Sequence, residues 1–312
     1  MHTVIKKISR FLILNAVFFL PKEKKIRVER WLRGKEEFRK LQLADAVIVS
    51  FGKSGRTWLR VLLSRFYQLQ HGLSERHLIG FDNLHRKNNA IPKLFFTHDN
   101  YIKDYTGHRD NKADFYASNV VLLARNPLDV AVSQFFQWKY RMRAGKKALN
   151  KYPEHGSNID IFDFVMAKDS GLTAVIDYLN AWANEADLIN NLLIVRYEDL
   201  RSDTGDTLDK IVNFIGTPGS RQDIVDAVKF ASIDNMRKME QKRTFWLSGS
   251  RMVAKDKNDP NTYKVRKAKV GGYKDYFDDA QLQILHKIVA DQLHPMFNYD
   301  PAAAQEIQAL SA

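Results

Sequence analysis

Val47-Ile48-Val49-Ser50-Phe51-Gly52-Lys53-Ser54-Gly55-Arg56-Thr57-Trp58 decides the fold. A β-branched apolar run stops at a short Gly/Ser loop holding one lysine. A helical pattern then takes over, with Leu59, Leu62, Leu63, Phe66 and Tyr67 on one face. The stretch predicts a strand, a phosphate-sized loop and a helix N-terminus. Glycines let the backbone approach an anion, and the first N–H groups of a helix have no intrahelical partners. The helix dipole adds roughly half a positive charge at that end, and Lys53 adds a full one.

Two readings of the loop stand: an anion site, or an ordinary strand-to-helix turn with a solvated lysine. Gly52-Lys53-Ser54 matches the end of the triphosphate-binding pattern G-x-x-x-x-G-K-[ST], but Val47 stands at the leading glycine, inside the strand. The loop is too short to wrap a triphosphate in the usual way.

The 312 residues, 45% of them hydrophobic, suffice for one large core, and no Pro/Gly/Ser-rich linker or internal repeat divides them. Cysteine is absent, which removes disulfides, zinc-thiolate sites and cysteine nucleophiles. Of the net charge of +13, residues 1–40 carry +8, with twelve Lys and Arg against four Glu. We expect a basic, partly apolar arm over 1–40, one main domain over 41–300 and a tail over 301–312. Such an arm beside a weakly basic body points to an anionic surface touched by the N-terminus and a local anion site elsewhere.

In the arm, Val4, Ile5, Ile8, Phe11 and Leu12 recur at helical spacing opposite Lys6, Lys7 and Arg10, and an apolar run continues from Phe11 to Leu20, broken by Asn15. Ten residues cannot span a bilayer, which takes about 20. Pro21-Lys22-Glu23-Lys24-Lys25 stands where a signal peptide would have its small-residue cleavage site. An interfacial helix on an anionic leaflet, a helix docked on the core and an uncleaved signal anchor remain open.

Three more short apolar runs read as buried parallel strands: Leu94 to Phe96, a run from Asn119 that ends at Arg125, and one in Leu192 to Asp199 with polar residues at its end. Strands alternating with helices make a central, mostly parallel sheet flanked by helices the expected α/β fold. Ligands in such sheets lie outside the carboxyl ends of the strands, where His98, Arg125 and Tyr197 fall. His98 there is either catalytic or a hydrogen-bonded structural side chain, and Arg125 either binds an anion or pairs with a carboxylate. Asn126 caps the next helix, Pro127 suits its first turn, and Asp129 is an acid where the dipole favours one. Arg141 to Asp160 reads as a basic lid or acceptor loop, and 237–270 as a long excursion over the site.

With these strand ends in hand, the chain resembles the sulfotransferases that use 3′-phosphoadenosine-5′-phosphosulfate (PAPS), over roughly residues 45–295. Gly52-Lys53-Ser54-Gly55-Arg56-Thr57-Trp58 is similar to the family's 5′-phosphosulfate loop, and Thr97-His98 to the Thr-His after its second strand. Arg125-Asn126-Pro127 with Ser133 resembles its 3′-phosphate motif, Tyr197-Glu198-Asp199-Leu200 its Tyr-Glu-Asp, and Arg266 to Lys274 its last basic motif.

The resemblance implies a single P-loop-like domain that moves a sulfuryl group from PAPS to an acceptor hydroxyl, releasing the bisphosphate PAP, with no metal. Lys53, His98 and Ser133 are the implied catalytic residues, with His98 as general base and Lys53 on the leaving group. Gly52, Ser54, Gly55, Arg56 and Thr57 would surround the 5′ end. Arg125, Ser133, Arg266, Lys267 and Ala268 would hold the 3′-phosphate, and Trp58, Tyr197, Ser232 and Met236 the adenine side. Ile233 replaces a typical Phe, Phe96 a Lys, Arg56 a Thr and Ala268 a Gly; a Cβ at 268 would resist positive φ. The basic arm favours a lipid, glycolipid or glycan acceptor and a cytoplasmic protein peripheral on the inner membrane face, with no nucleic-acid partner. The rival readings are a P-loop ATP-dependent kinase and a catalytically silent anion- or membrane-binding protein of the same fold.

Overall fold

The computed structural model describes residues 2–245, 252, 253, 256, 258–266 and 268–299, with side-chain environments from residue 9 onward. Lys267 and the tail over 301–312 lie outside the described residues. Helices α1 (His2–Ala16) and α2 (Lys22–Gln42) precede β1 (Ala46–Val49) and α3 (Arg56–Gln70). Then come β2 (Leu94–Thr97), α4 (Ile102–Thr106), β3 (Asn119–Ala124) and α5 (Pro127–Phe136). Helices α6 (Ala144–Leu149), α7 (Ile161–Met166) and α8 (Leu172–Ala183) lead to β4 (Asn191–Arg196). The chain continues through α9 (Tyr197–Ser202), α10 (Thr204–Phe214), α11 (Arg221–Phe230) and α12 (Ile233–Lys242) to α13 (Asp279–Gln292).

The four strands pair in parallel in the order β2-β1-β3-β4. Period-two alternation sorts their side chains between two helical layers. Ile48, Val121 and Val195 join Leu59, Leu62 and Phe66 of α3 on one face. Val49, Leu122 and Ala124 meet Val175, Leu179 and Trp182 of α8 on the other. Burial of each such side chain contributes about 1.5–3 kcal/mol. The register pairs Val49 with Thr97 and with Leu122, and Ala124 with Arg196. All four strands therefore deliver their next residues, Ser50, His98, Arg125 and Tyr197, to one edge of the sheet.

Asn126 caps α5, accepting from the Leu128 and Asp129 amides at 3.0 and 3.4 Å, with Pro127 in the first turn. Two segments expected as loops contain helix. α6 lies within 141–160. α12 carries into the 237–270 excursion because Ser232 caps it, accepting from Asn235 N, and Met236 and Met239 share a buried face.

Pro21 separates α1 from α2. Gly34 lets α2 lie close against α4, since a Cβ there would sit 2.3 Å from the Tyr101 carbonyl oxygen. Arg30 of α2 forks into the body, donating to Asp104 at 2.8 Å, to Leu149 O at 2.7 Å and to Asn100 O at 2.8 Å. Arg10 of α1 pairs with Glu36 of α2 at 3.2 Å. Phe11 and Leu12 are exposed, and Phe18 and Phe19 are 75% and 70% exposed. Among the described residues no helix is long and apolar enough to cross a membrane.

Candidate active site

The carboxyl edge of the sheet opens into a cavity of about 770 Å³. Its floor is the loop between β1 and α3. Lys53 and Gly55 both adopt left-handed backbone, at φ 76° and 94°. Gly55 is required twice over, because a Cβ there would also lie 2.4 Å from the Tyr197 ring. Its carbonyl accepts from Trp58 N at 2.8 Å and Leu59 N at 3.2 Å, starting α3. A non-glycine residue in this backbone region costs about 1–2 kcal/mol, and Lys53 bears that cost where its side chain enters the cavity. Burial first, then the like charges of Arg141 and Arg125, pulls the Lys53 ammonium down to about 7, with Glu240 opposing.

His98 is held at both nitrogens. Ser50 O lies 2.7 Å from Nδ1, and Nη2 of Arg56 lies 2.5 Å from Nε2. A carbonyl only accepts and a guanidinium only donates, so Nδ1 carries the proton and Nε2 presents its lone pair. Burial and then Arg56 hold the imidazole pKa well below its ordinary value, so the ring is neutral in this geometry. Asp99 does not compete for this role: it turns away to a buried ion pair with Lys112 at 2.8 Å. Behind His98, Glu37 of α2 accepts from Thr97 Oγ1 at 3.2 Å, and burial raises its carboxyl to about 7.

Arg125 donates to Lys53 O at 3.2 Å, pairs with Asp129 at 3.4 Å and lies over the Tyr197 ring at 4.4 Å. Asp129 does more than favour the helix dipole. It accepts from Gly271 N at 2.9 Å and Tyr273 N at 3.1 Å, tying the last basic motif to α5. Arg266 stacks on Phe136 at 3.7 Å and donates to Tyr276 Oη at 2.5 Å. Ala268 keeps the left-handed backbone, at φ 54°, so its Cβ does not bar positive φ. Trp58 anchors its indole by donating to Ala231 O at 2.8 Å and meets Tyr197 edge-on at 5.9 Å. Glu198 accepts from Asn126 N at 3.0 Å and from Tyr299 Oη at 2.7 Å, bracing α9 against the cap of α5 and against Tyr299.

The cavity thus gathers Gly52, Lys53, Gly55, Arg56, Thr57, Trp58, His98, Arg125, Ser133, Tyr197, Met236, Arg266 and Ala268. Ser54 is buried behind the loop, and the exposed Ser232 caps α12; neither is on the cavity wall, whereas Ile233 is. Phe96 supplies no cation, but the Arg60 guanidinium lies 3.8 Å over its ring and reaches the cavity.

Three residues escaped the sequence reading. Past Phe136, α5 continues as a π-helical turn, Gln137–Arg141, which brings Arg141 to the cavity. Such turns recur at functional sites. Glu240 of α12 is fully buried and faces Arg141 at 3.5 Å. The same carboxylate accepts from Lys264 N at 2.9 and 3.0 Å and Val265 N at 3.2 Å, suspending the segment that carries Arg266. The Lys264 ammonium, lowered to about 7 by burial and by Arg141 and Lys53, also lines the cavity. The only sequence signal was the spacing of Met236, Met239 and Glu240 on one helix face.

A sulfotransferase domain model matches residues 43–297. Human Sulfotransferase 2A1 is 24% identical over 268 residues, covering 80% of this chain and 84% of its own. Among solved structures, mouse sulfotransferase SULT7A1 complexed with PAP superposes with a TM-score of 0.53 at 18% identity, covering 86% of this chain and 89% of that one. A retinol dehydratase in complex with retinol and PAP gives a TM-score of 0.55 at 18% identity, covering 79% and 80%.

Proposed function

Because the chain belongs to the sulfotransferase family, we propose that this cavity transfers the sulfuryl group of PAPS to a hydroxyl of an acceptor. The observation that carries the reading is the convergence of Lys53, His98, Arg125, Ser133 and Arg266, from separate segments, on one cavity. The residues present fit the donor: a cationic cradle faces a strand edge where two phosphate groups can be held apart, and Trp58 and Tyr197 offer aromatic surface for a purine. PAPS supplies an activated sulfuryl group whose leaving group is an anionic bisphosphate.

Lys53 neutralises charge as it develops on the leaving phosphate oxygen. Arg125, Ser133 and Arg266 hold the 3′-phosphate, with Lys267 and Ala268 in the same motif. The acceptor oxygen forms its bond to sulfur as the sulfur–oxygen bond to the 5′-phosphate breaks. The hydroxyl proton passes to Nε2 of His98, which Ser50 keeps in the tautomer that can take it. In the donor-free geometry Arg56 occupies that lone pair. An anion at the 5′ end draws the guanidinium away and frees the base.

The arm supplies the second half of the proposal. The net positive charge of residues 1–40 and the exposed Phe11, Phe18 and Phe19 suit the cytoplasmic face of an anionic membrane. A lipid, glycolipid or glycan hydroxyl would be presented there. The test is calorimetry with PAP followed by transfer from labelled PAPS to lipid and carbohydrate extracts. Wild type is expected to bind PAP and label one fraction. His98→Ala is expected to keep PAP binding and lose transfer, and Lys53→Ala to lose at least about 10²-fold in rate. No PAP binding by wild type refutes the reading.

A further inference from the structure

Resting on the donor reading above, we infer that the acceptor carries an anionic group close to the hydroxyl that receives the sulfuryl, as an acidic saccharide or a phosphorylated polyol does.

The first ground is a charge imbalance. Among the described residues eleven Lys and Arg line the cavity, against the carboxylates of Asp129 and Asp169. A donor with a 3′-phosphate near −2 and single charges on its 5′-phosphate and sulfate brings about four negative charges. The cations beside the phosphate loop and the last basic motif face those charges, and the lining keeps a positive excess with the donor in place. Arg143 and Lys146, at the start of α6, also line the cavity, Lys146 near enough to His98 to help lower its pKa, and among the described residues neither forms an ion pair with a carboxylate. A cleft lined by one sign of charge concentrates ligands of the other.

The second ground is that this wall is braced. The Arg30 fork fixes the carbonyls of Asn100 and Leu149 from α2. Tyr101 Oη donates to Asn150 Oδ1 at 2.8 Å and accepts from Lys146 Nζ at 2.9 Å. Lys146 is thus held beside Asn100 and Asn150 on a preformed wall. Tyr101 and the Lys146 carbonyl already engage the Asn150 amide, so the wall offers a fixed ammonium and amide groups in place, an arrangement suited to a polyhydroxylated anion. The same fork connects this wall to α2, the helix that follows the exposed α1.

Binding of matched probes to the PAP-loaded protein tests this without requiring turnover. Calorimetry compares methyl β-D-glucoside with methyl β-D-glucuronide, and myo-inositol with inositol 1-phosphate. The expected result is about tenfold tighter binding of each anionic member at low salt, with the preference shrinking as ionic strength rises. R143Q/K146Q is expected to retain PAP affinity and lose most of that preference. Equal binding of the paired probes, no binding of either, or a preference that survives in R143Q/K146Q overturns the inference while leaving PAP binding intact. Loss of PAP binding by wild type instead overturns the donor reading and this one with it. Phosphatidylcholine vesicles with and without phosphatidylinositol, each compared between wild type and R143Q/K146Q so that binding through the arm cancels, identify the source: a preference for the anionic vesicles that R143Q/K146Q loses assigns a lipid headgroup, and a preference lost only for the free inositol phosphate assigns a soluble anion.

Discussion

Replacing Glu240 with Gln removes one charge and almost no volume from the centre of the cationic cluster. The carboxylate is fully buried and accepts from two backbone amides at 2.9–3.2 Å while facing Arg141 at 3.5 Å. Hydrogen bonds to a charged group contribute about 1.5–3 kcal/mol each. A glutamine oxygen keeps part of the two amide bonds but leaves Arg141 buried without its counter-charge, and removing one partner of such a pair costs about 3–5 kcal/mol. The expected loss for E240Q is therefore about 3 kcal/mol, roughly 150-fold in the folded-to-unfolded ratio. Urea denaturation should show a lower midpoint at unchanged slope. Glu240 also holds up the Lys53 and Lys264 ammonium groups. Its loss lowers both below about 7 and moves the activity profile toward acid. In R141Q/E240Q part of the stability should return, because the uncompensated guanidinium is gone; coupled buried pairs give about 0.5–3 kcal/mol in such cycles. A stability change for E240Q within about 0.5 kcal/mol, the range of an ordinary surface substitution, with an unshifted pH profile, would refute this account of Glu240.

PAP affinity should depend on pH through Lys53 and Lys264, both near 7 without ligand. The bound anion favours the ammonium, so binding takes up protons above pH 7 and weakens as pH rises, by up to about tenfold per unit for each linked proton. Calorimetry in buffers of different ionisation enthalpy reads this directly, and pH-independent affinity between 7 and 9 on the ~10.4 scale of an ordinary lysine contradicts the depression. Arg56→Thr is expected to raise the His98 pKa in the donor-free protein, since Arg56 lowers it; an unmoved imidazole titration by NMR contradicts the latch. Phe18→Glu with Phe19→Glu should weaken sedimentation with phosphatidylserine vesicles while leaving PAP binding unchanged. Equal sedimentation excludes the arm as anchor.

The α/β architecture and the strand-end positions of His98, Arg125 and Tyr197 were legible because they rest on local pattern: short apolar runs, turn chemistry, and the rule that parallel strands finish on a shared edge. The Asn126-Pro127 start of α5 was legible for the same reason, its cap and first turn being adjacent in the chain. Arg141, Glu240 and Lys264 were not legible. Their roles depend on a π-helical turn, on which face of α12 is buried and on a fold-back from 240 to 264, and none of these has a local signature. Ala268 adopts positive φ despite its Cβ, in a segment that the contacts of Asp129 with Gly271 and Tyr273 hold from 142 and 144 residues away.

By itself, then, the amino-acid sequence determined the sheet, the anion loop and the identity of the groups that could do chemistry, because backbone propensity and charge are properties of neighbouring residues. Only the tertiary structure decided that His98 presents Nε2, that Arg56 covers it in the donor-free geometry, and that Arg143 and Lys146 share a wall with Asn100. Each of these depends on distances between segments far apart in the chain, which packing alone sets.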